Sequence, residues 1–293
     1  MSVEPSASRA TLRSWLAEPL APEVRRALER LLRARDLCHV AVMPDVHLAQ
    51  DVCNGVALAT ERTIYPTAVG GDIGCGMAAL AFDADAAMLE DEERAAAVIS
   101  LLSRLVPANK HGRDTAAKAL PDELTERPLS DPRLERSKQR DGRVQLGTLG
   151  RGNHFLELQR CDEGRLWLMV HCGSRGIGRM IYEHHLRAAS KDDVLPYLEV
   201  HSPEGQAYLA DHDWALRYAE LNRERMALAA EEVLRSVLGV SAAWDSFRQS
   251  NHNHLRRENL GSLGSQGSKG SQGLWVHRKG ALPAHEGVPG VVP

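Results

Sequence analysis

Several stretches of the chain repeat hydrophobic residues with the period of an α-helix. In residues 22–35, an apolar stripe falls on one face and predicts a helix; its members are Val24, Ala27, Leu28, Leu31 and Leu32. Pro22 suits its first turn, where the backbone N–H groups have no partner within the helix. The same periodicity predicts helices over residues 90–105, 179–189 and 204–238.

Short apolar runs between these helices predict buried strands. They cover residues 38–43, 55–59, 78–82, 165–171 and 274–280. Together the elements predict an α+β fold with mixed β-sheets. We expect one large domain over residues 38–293, incomplete at its C-terminal end, after an N-terminal helical segment over residues 1–37.

Two polar stretches interrupt this pattern. Residues 107–142 hold several prolines and a cluster of mixed charge, which is consistent either with a mobile flap over a polyanion or with a solvated loop. Residues 261–273 are rich in Gly, Ser and Gln, a composition typical of a flexible loop.

Composition narrows the class of protein. The 293 residues can bury a large core, but only 4% are aromatic and the net charge is −3, so any nucleic-acid contact must use a local basic patch. The five cysteines form no C-x-x-C pair, which argues against a zinc ribbon. The absence of a secretory leader argues against a disulfide framework, and no apolar run matches a membrane span. These features predict a cytoplasmic protein.

The stretch from Ala68 to Met77 is rich in glycine and carries two side chains with strong ligand chemistry. Asp72 and Cys75 lie three residues apart, so a carboxylate and a thiolate can converge on one cation. A plain turn with a buried cysteine is the alternative, because free cysteine often behaves as a small hydrophobic residue.

Other reactive residues follow or precede predicted strands. Asp45 and His47 follow the strand over residues 38–43, where they could be catalytic or could cap a turn. Arg175 lies in a Gly-Ser-Arg-Gly turn before a helix, a setting suited to phosphate. His154, His171 and His252 complete a set of ligand-type residues with Asp72 and Cys75. Five such residues are enough for two metal ions sharing one ligand. Residue types favour zinc but do not separate zinc, manganese and cobalt.

The order of the motifs closely resembles the RtcB family of RNA ligases. The resemblance covers residues 38 to 293 and rests on six motifs in sequence. They are Met-Pro-Asp-Val-His-Leu (43–48), Val-Gly-Gly-Asp-Ile-Gly-Cys-Gly-Met (69–77), Gly-Thr-Leu-Gly-Arg-Gly-Asn-His-Phe-Leu-Glu (147–157), His-Cys-Gly-Ser-Arg-Gly (171–176), His-Asn (252–253) and His-Arg-Lys-Gly-Ala (277–281).

The resemblance implies an activity and roles for individual residues. RtcB enzymes use GTP and two manganese ions to join RNA ending in a 3′-phosphate or 2′,3′-cyclic phosphate to a 5′-hydroxyl, in RNA repair or tRNA splicing. By motif matching, Cys75 bridges the metals, Asp72 and His154 complete one site, and His171 and His252 complete the other. The remaining matches assign the guanylyl group and its phosphate to Asn153, Glu157 and Asn253, the RNA 3′-phosphate to Arg175, and a catalytic role to Asp45 and His47.

Two departures keep other functions open. The family usually has Gly-Lys after Asp-Val-His-Leu, whereas this chain has Ala49 and Gln50, a pattern that resembles a branch found beside a peptide-release-factor homologue. No residue of this chain matches the histidine that takes GMP, which the family carries in a part beyond Val-Val-Pro; neither His277 nor His285 is assigned to that role. Three alternatives remain open. The chain could be a catalytically inactive metal- and RNA-binding remnant, a fragment of a longer enzyme, or a two-metal phosphatase or cyclic phosphodiesterase.

Overall fold

The structure is a computed structural model that describes residues 10–112, 114, 116–191, 193–260, 273–284, 287 and 290–291. Its helices are α1 (Pro22–Leu31), α2 (Glu92–Leu105), α3 (Asp122–Thr125), α4 (Pro132–Ser137), α5 (Arg143–Gln145), α6 (Arg175–Ala188) and α7 (Pro203–Leu238). Its strands are β1 (Thr11–Ser14), β2 (Leu37–His47), β3 (Asn54–Thr60), β4 (Thr63–Ile64), β5 (Gly76–Asp85), β6 (Phe155–Arg160), β7 (Arg165–Cys172), β8 (Leu198–Glu199), β9 (Ala242–Asn251), β10 (Asn253–Glu258) and β11 (Leu274–Lys279). Except for Gly273, the tract predicted as a flexible loop lies outside the described residues.

The chain folds as two compact units, and the first comprises residues 1–71, 182–209 and 253–281. Its main sheet has the strand order β1-β2-β3-β11-β10, in which β1 runs parallel to β2 and the other pairs are antiparallel. The apolar face of α1 packs on β2 and β3, so burial of that face holds the helix to the sheet. The central side chains of this core are Val24, Leu28, Leu31, Val40, Val42, Val56 and Leu58.

The second unit comprises residues 72–181, 210–252 and 282–293. Its sheet is antiparallel throughout, with the order β6-β7-β5-β9. One face of β5 and β7 packs against α2 and the C-terminal half of α7. The core there is formed by Ala78, Leu80, Phe82, Val98, Leu102, Leu166, Leu168, Val170, Met226, Ala230, Val233 and Leu234.

The predicted α+β class is confirmed, and most elements lie within a few residues of their predicted positions. The helix predicted to begin at residue 179 begins at Arg175, because the Gln145 side chain accepts a hydrogen bond from the Gly176 N–H (3.0 Å) and satisfies one of the free donors of the first turn. The helix predicted over residues 22–35 ends at Leu31. Strands β9 and β10 lay outside the prediction, and the division at residue 37 stays a prediction.

Residues 107–142 are not a solvated loop in the part that the structure describes. They contain α3, α4 and a single π-helical turn over Lys138–Gly142. Lys138 is fully buried, and its Nζ donates hydrogen bonds to the carbonyls of Arg127 (2.9 Å) and Thr125 (3.3 Å). The prediction missed this packing because a lysine in a charged stretch is ordinarily exposed.

Helix α7 has the boundaries predicted for it to within one residue, and its apolar stripe is core, as expected. Tyr208, Trp214, Tyr218 and Met226 are all buried. Charged residues recur along its 36 residues. Among the described helices, none has the length and apolar character needed to cross a bilayer.

Candidate metal centre

The second unit brings the five predicted metal ligands to one end of its sheet. Asp72 and Cys75 precede the first residue of β5, and His154 precedes the first residue of β6. His171 lies at the end of β7, and His252 follows the end of β9. Because neighbouring strands of this sheet are antiparallel, the starts of β5 and β6 lie at the same end of the sheet as the ends of β7 and β9.

Three of the ligand atoms form a first group around His171. Cys75 Sγ lies 3.2 Å from His171 Nε2, and His171 Nε2 lies 3.2 Å from His252 Nε2. The His252 backbone N–H donates to the Cys75 carbonyl at 2.8 Å, which fixes the spacing of the two segments. One thiol and two imidazoles therefore point at the same small volume.

A second group shares Cys75 with the first. Cys75 Sγ lies 3.6 Å from His154 Nε2, and His154 Nε2 lies 2.8 Å from Asp72 Oδ2. Within each group the ligand atoms all lie within 4.8 Å of one another. The geometry thus contains two three-residue sets with Cys75 as their common member, the arrangement that the motif matches imply.

Backbone carbonyls orient two of the imidazoles. His171 Nδ1 lies 2.8 Å from the Asn153 carbonyl, and His154 Nδ1 lies 3.0 Å from the Leu149 carbonyl. Because a carbonyl oxygen only accepts hydrogen bonds, each Nδ1 carries a hydrogen, and each ring turns its Nε2 toward the centre. This is the orientation that metal-binding histidines ordinarily have.

Burial and the Asp72 carboxylate set the charge of the two groups. Burial, with a smaller contribution from the Asp72 carboxylate, raises the pKa of the Cys75 thiol to about 12. Burial also lowers the pKa of His252 to about 4, with a smaller contribution from His171. Burial lowers the pKa of His154 as well, but the hydrogen bond between its Nε2 and the Asp72 carboxylate, together with contacts to two cysteine thiols, outweighs burial and raises that pKa to about 12. Neutral imidazoles are the form that binds a cation, so a bound cation displaces the proton of His154 Nε2 together with the thiol proton. The thiol, the carboxylate and the three imidazoles therefore fit a pair of divalent transition-metal ions.

Two glycines allow this close packing. A Cβ at Gly173 would overlap the Asp72 carboxylate, so that carboxylate lies directly against the Gly173 backbone. A Cβ at Gly150, where φ is +102°, would overlap both the Arg175 guanidinium and the His154 ring. Glycine at these positions is required by the approach of the ligands as well as by the turns.

Arg175 lies beside the centre in a strained conformation. Its φ is +59°, a value that non-glycine residues rarely adopt. Its Nε donates to Thr148 Oγ1 (3.1 Å), and its Nη2 donates to the Ala108 carbonyl (3.1 Å). Strain of this kind persists where the surroundings over-determine it and is concentrated at functional sites. The Arg175 guanidinium and the His154 ring both lie against Gly150, so the two side chains are close to each other.

The other predicted site residues fall into two sets. In the second unit, Asn153 accepts the His171 hydrogen bond through its carbonyl, and Glu157 on β6 accepts one from the Gln159 side chain. In the first unit, His47 Nδ1 lies 2.9 Å from the Asp45 carbonyl and its Nε2 lies 3.1 Å from Asn54 Nδ2. The sequence suggested that Asp45 and His47 follow the strand. In the structure both residues belong to β2, which ends at His47.

Asn253 begins β10 in the first unit. Its Oδ1 accepts a hydrogen bond from the Gly280 N–H at 2.8 Å. Strands β10 and β11 are antiparallel neighbours in the sheet, and this contact joins the start of β10 to the residue that follows β11. The structure therefore gives the Asn253 side chain a backbone partner within its own unit.

Sequence reasoning missed two buried polar residues of α7. Asn222 and Arg223 are fully buried and hydrogen-bond to the loops that carry the ligands. The available signal was helical spacing: Asn222 lies four residues after Tyr218 and four before Met226, on the apolar stripe of the helix, with Arg223 next to it. Buried polar side chains need partners, so such a pair points to a polar surface on the facing elements.

Comparison with protein families gives one match that covers most of the chain. The family model described as tRNA-splicing ligase RtcB matches residues 31–130 and 125–293. The match therefore includes every predicted metal ligand. It also includes the segment that contains Asp45 and His47.

Individual relatives agree with this match. The chain is 31% identical over 286 residues to the RNA-splicing ligase RtcB of Escherichia coli, covering 87% of this chain and 67% of the relative. It is 30% identical over 306 residues to the RNA-splicing ligase RtcB of Mycobacterium bovis, covering 83% and 68%. It is 32% identical over 258 residues to the tRNA-splicing ligase RtcB of Archaeoglobus fulgidus, covering 68% and 52%. The chain thus spans from about half to about two thirds of the length of these relatives.

Proposed function

This chain belongs to the RtcB family, and we propose that it provides the two-metal centre of an RNA ligase that depends on GTP and manganese. The observation that carries the proposal is the sharing of Cys75 between two sets of ligands, with all five side chains at one end of the sheet. The names of the relatives, RNA-splicing and tRNA-splicing ligases, support RNA as the substrate.

We propose Mn²⁺ for both positions. Asp72, Cys75 and His154 would hold one ion, and Cys75, His171 and His252 would hold the other. A pair of divalent ions supplies neutralisation of phosphate charge and orientation of an in-line displacement. The donor set alone also suits zinc or cobalt, so the choice of manganese rests on the family.

The RNA ends fit the residues beside the centre. The proposed substrate is RNA with a 3′-phosphate or 2′,3′-cyclic phosphate, joined to RNA with a 5′-hydroxyl. Arg175 presents a guanidinium next to His154, and the planar fork of a guanidinium suits a terminal phosphate. The roles of Asn153, Glu157 and Asn253 toward GMP, and of Asp45 and His47 in catalysis, are proposed by motif matching.

A second candidate concerns residues 1–293 taken alone, which span about two thirds of the Escherichia coli relative. By motif matching, none of these residues corresponds to the histidine that takes GMP. A two-metal centre polarises phosphate but needs a positioned nucleophile to accept a guanylyl group. The second candidate is therefore binding of metal and RNA by residues 1–293 without guanylylation of these residues.

Radiolabelled GTP and manganese test both candidates together. We expect the 293-residue chain to bind two manganese ions in equilibrium dialysis and to carry no covalent label after denaturing electrophoresis. Covalent label would show that a nucleophile lies within these residues, and His277 would be replaced first to find it. A chain that binds no manganese would overturn the proposed two-metal centre, whatever the labelling result.

A further inference from the structure

We propose that Asn222 and Arg223 are the positioning residues of the metal centre, the side chains that set the spacing of its ligand-bearing segments. The inference rests on the proposed two-metal function. Both residues are neighbours on α7, both are fully buried, and both belong to the second unit together with the five ligands. Neither is itself in the proposed coordination shell.

Arg223 connects three of the ligand-bearing segments through one guanidinium. Its Nη1 donates to the Gly74 carbonyl (2.8 Å) and the Cys172 carbonyl (2.8 Å), and its Nη2 donates to Asn251 Oδ1 (2.6 Å). Each acceptor residue is the sequence neighbour of a ligand. The neighbours are Cys75, His171 and His252, respectively.

These three ligands are the members of the first group. The nitrogens of a guanidinium lie in one plane at fixed separations, so the side chain acts as a rigid spacer between the segments it contacts. Its Nε donates a hydrogen bond to Gln249 Oε1 on β9 (3.1 Å), which fixes the plane of the group. The contacts of Arg223 therefore adjoin all three ligands of the first group, one of which, Cys75, is shared with the second group.

Asn222 connects the fourth segment to the same helix. Its Oδ1 accepts from the N–H groups of Gly147 (2.6 Å) and Thr148 (3.2 Å), and its Nδ2 donates to the Thr148 carbonyl (3.1 Å). The next residue along this loop is Leu149, whose carbonyl orients the His154 ring. Asn222 thus fixes the loop that positions the histidine of the second group. Its Nδ2 also lies 3.0 Å from Cys172 Sγ and 3.4 Å from the carbonyl of Gly173, whose backbone lies against the Asp72 carboxylate of the same group.

Burying a guanidinium is an unfavourable way to stabilise a core, because it costs free energy of desolvation. Removing a charge from water is costly, and a well-packed hydrophobic side chain is often as stable or more stable. Burial lowers the pKa of Arg223, which reflects this cost. What Arg223 provides that an apolar residue cannot is a set of directed hydrogen bonds to three segments at once. The need to hold the ligand-bearing segments at fixed positions therefore explains Arg223 better than hydrophobic packing does.

Cobalt binding to purified variants tests the proposal without an activity assay. Co²⁺ reports the number of ions by dialysis and the thiolate ligand by its charge-transfer absorption. We expect Arg223→Lys, which keeps the charge but lacks the planar fork, to bind cobalt about 10- to 100-fold more weakly in the Cys75–His171–His252 group, with a changed spectrum. We expect Asn222→Asp, which has nearly the same shape but loses the amide donor, to weaken the Asp72–Cys75–His154 group.

Tyr218→Phe is the matched control. Tyr218 is a buried residue of the same helix, and its hydroxyl donates to the Gly142 carbonyl at 2.7 Å, next to no ligand. The Tyr218→Phe variant should have a lower melting temperature but should bind the same number of cobalt ions with the same absorption spectrum. If Arg223→Lys and Asn222→Asp behave like this control, the two residues are only structural and the inference is wrong.

The outcomes separate the inference from the proposed function. Failure of the unaltered chain to bind two cobalt ions would overturn the two-metal centre itself. Normal binding by the unaltered chain and by both variants would overturn only the positioning role. If Arg223→Lys does not fold, Asn222→Asp decides alone, and unfolding of both variants would assign the pair to folding and overturn the inference.

Discussion

Cys75 lies between two sets of nitrogen and oxygen donors, with its Sγ 3.2 Å from His171 Nε2 and 3.6 Å from His154 Nε2. The candidate ligands could be identified from the sequence because a thiol, a carboxylate and three imidazoles all occur at predicted loops or strand ends, within motifs that follow the order of one family. Their convergence could not, since it depends on which strands pair. The contacts of Asn222 and Arg223 were hidden for the same reason.

Replacing the shared ligand should affect both metal positions. We expect Cys75→Ala to weaken manganese binding in both groups, and His252→Ala to weaken it in one, because only Cys75 is common to the two sets. Equilibrium dialysis with elemental analysis measures the ions bound per chain. Cys53→Ala, at a buried cysteine of the first unit, is the control and should bind two ions. Equal losses in the two test variants would contradict a shared ligand.

Arg175 should determine the affinity for RNA that ends in a phosphate. We expect Arg175→Lys to weaken binding of a 3′-phosphorylated oligonucleotide by about 10-fold, because a charge-assisted hydrogen bond contributes about 1.5–3 kcal/mol and lysine lacks the bidentate fork. Fluorescence anisotropy in the presence of manganese measures the affinity. The same oligonucleotide with a 3′-hydroxyl is the control. A variant that loses affinity equally for both ends would show that Arg175 does not contact the terminal phosphate.

At the scale of elements, the strands with strong apolar runs were predictable and the half-buried ones were not. Strand β9 is at the edge of its sheet, and its sequence mixes Asp245, Ser246 and Arg248 with apolar residues. Such a strand has one exposed edge and no continuous apolar run, so periodicity does not reveal it. The solvated loop considered for residues 107–142 was wrong because the packing of this stretch depends on buried polar contacts, such as those of Lys138. The pattern of hydrophobic residues does not reveal such contacts.

Lys138 gives those contacts a measurable consequence. We expect Lys138→Met to lower the free energy of unfolding by about 3–5 kcal/mol, because it leaves the buried carbonyls of Thr125 and Arg127 without their donor and Glu135 without its ion pair. Urea denaturation followed by circular dichroism measures the loss. Lys118→Met, at an exposed position, should change stability by less than about 0.5 kcal/mol. A small effect at Lys138 would support the solvated loop that the sequence suggested.

At the scale of the whole molecule, the five ligands are far apart in sequence but belong to one unit. Asp72 is the first residue of the second unit, and His252 is the last residue of its middle segment, 210–252. Family membership could be predicted because the six motifs occur in order. The two-unit division could not, because α6 and α7 each contribute residues to both units without a break in pattern.

This division predicts where metal binding stabilises the protein. A ligand that binds only the folded state stabilises it by about 2.7 kcal/mol at 100 times its dissociation constant. We expect manganese to slow amide hydrogen exchange in the second unit, most strongly in residues 72–77, 168–174 and 249–252, because cross-linking the ligand-bearing ends suppresses local opening of β5, β7 and β9. Exchange in β2 and β3 of the first unit should change much less.

Mass spectrometry of peptides from the metal-loaded and chelator-treated protein measures these rates. Cys75→Ala is the control, and manganese should leave its exchange unchanged in every segment. Equal protection of both units in the unaltered chain would mean that the metal stabilises the fold as one cooperative body. The protection pattern, unlike a melting temperature, distinguishes a centre that holds one sheet end from one on which the entire fold depends.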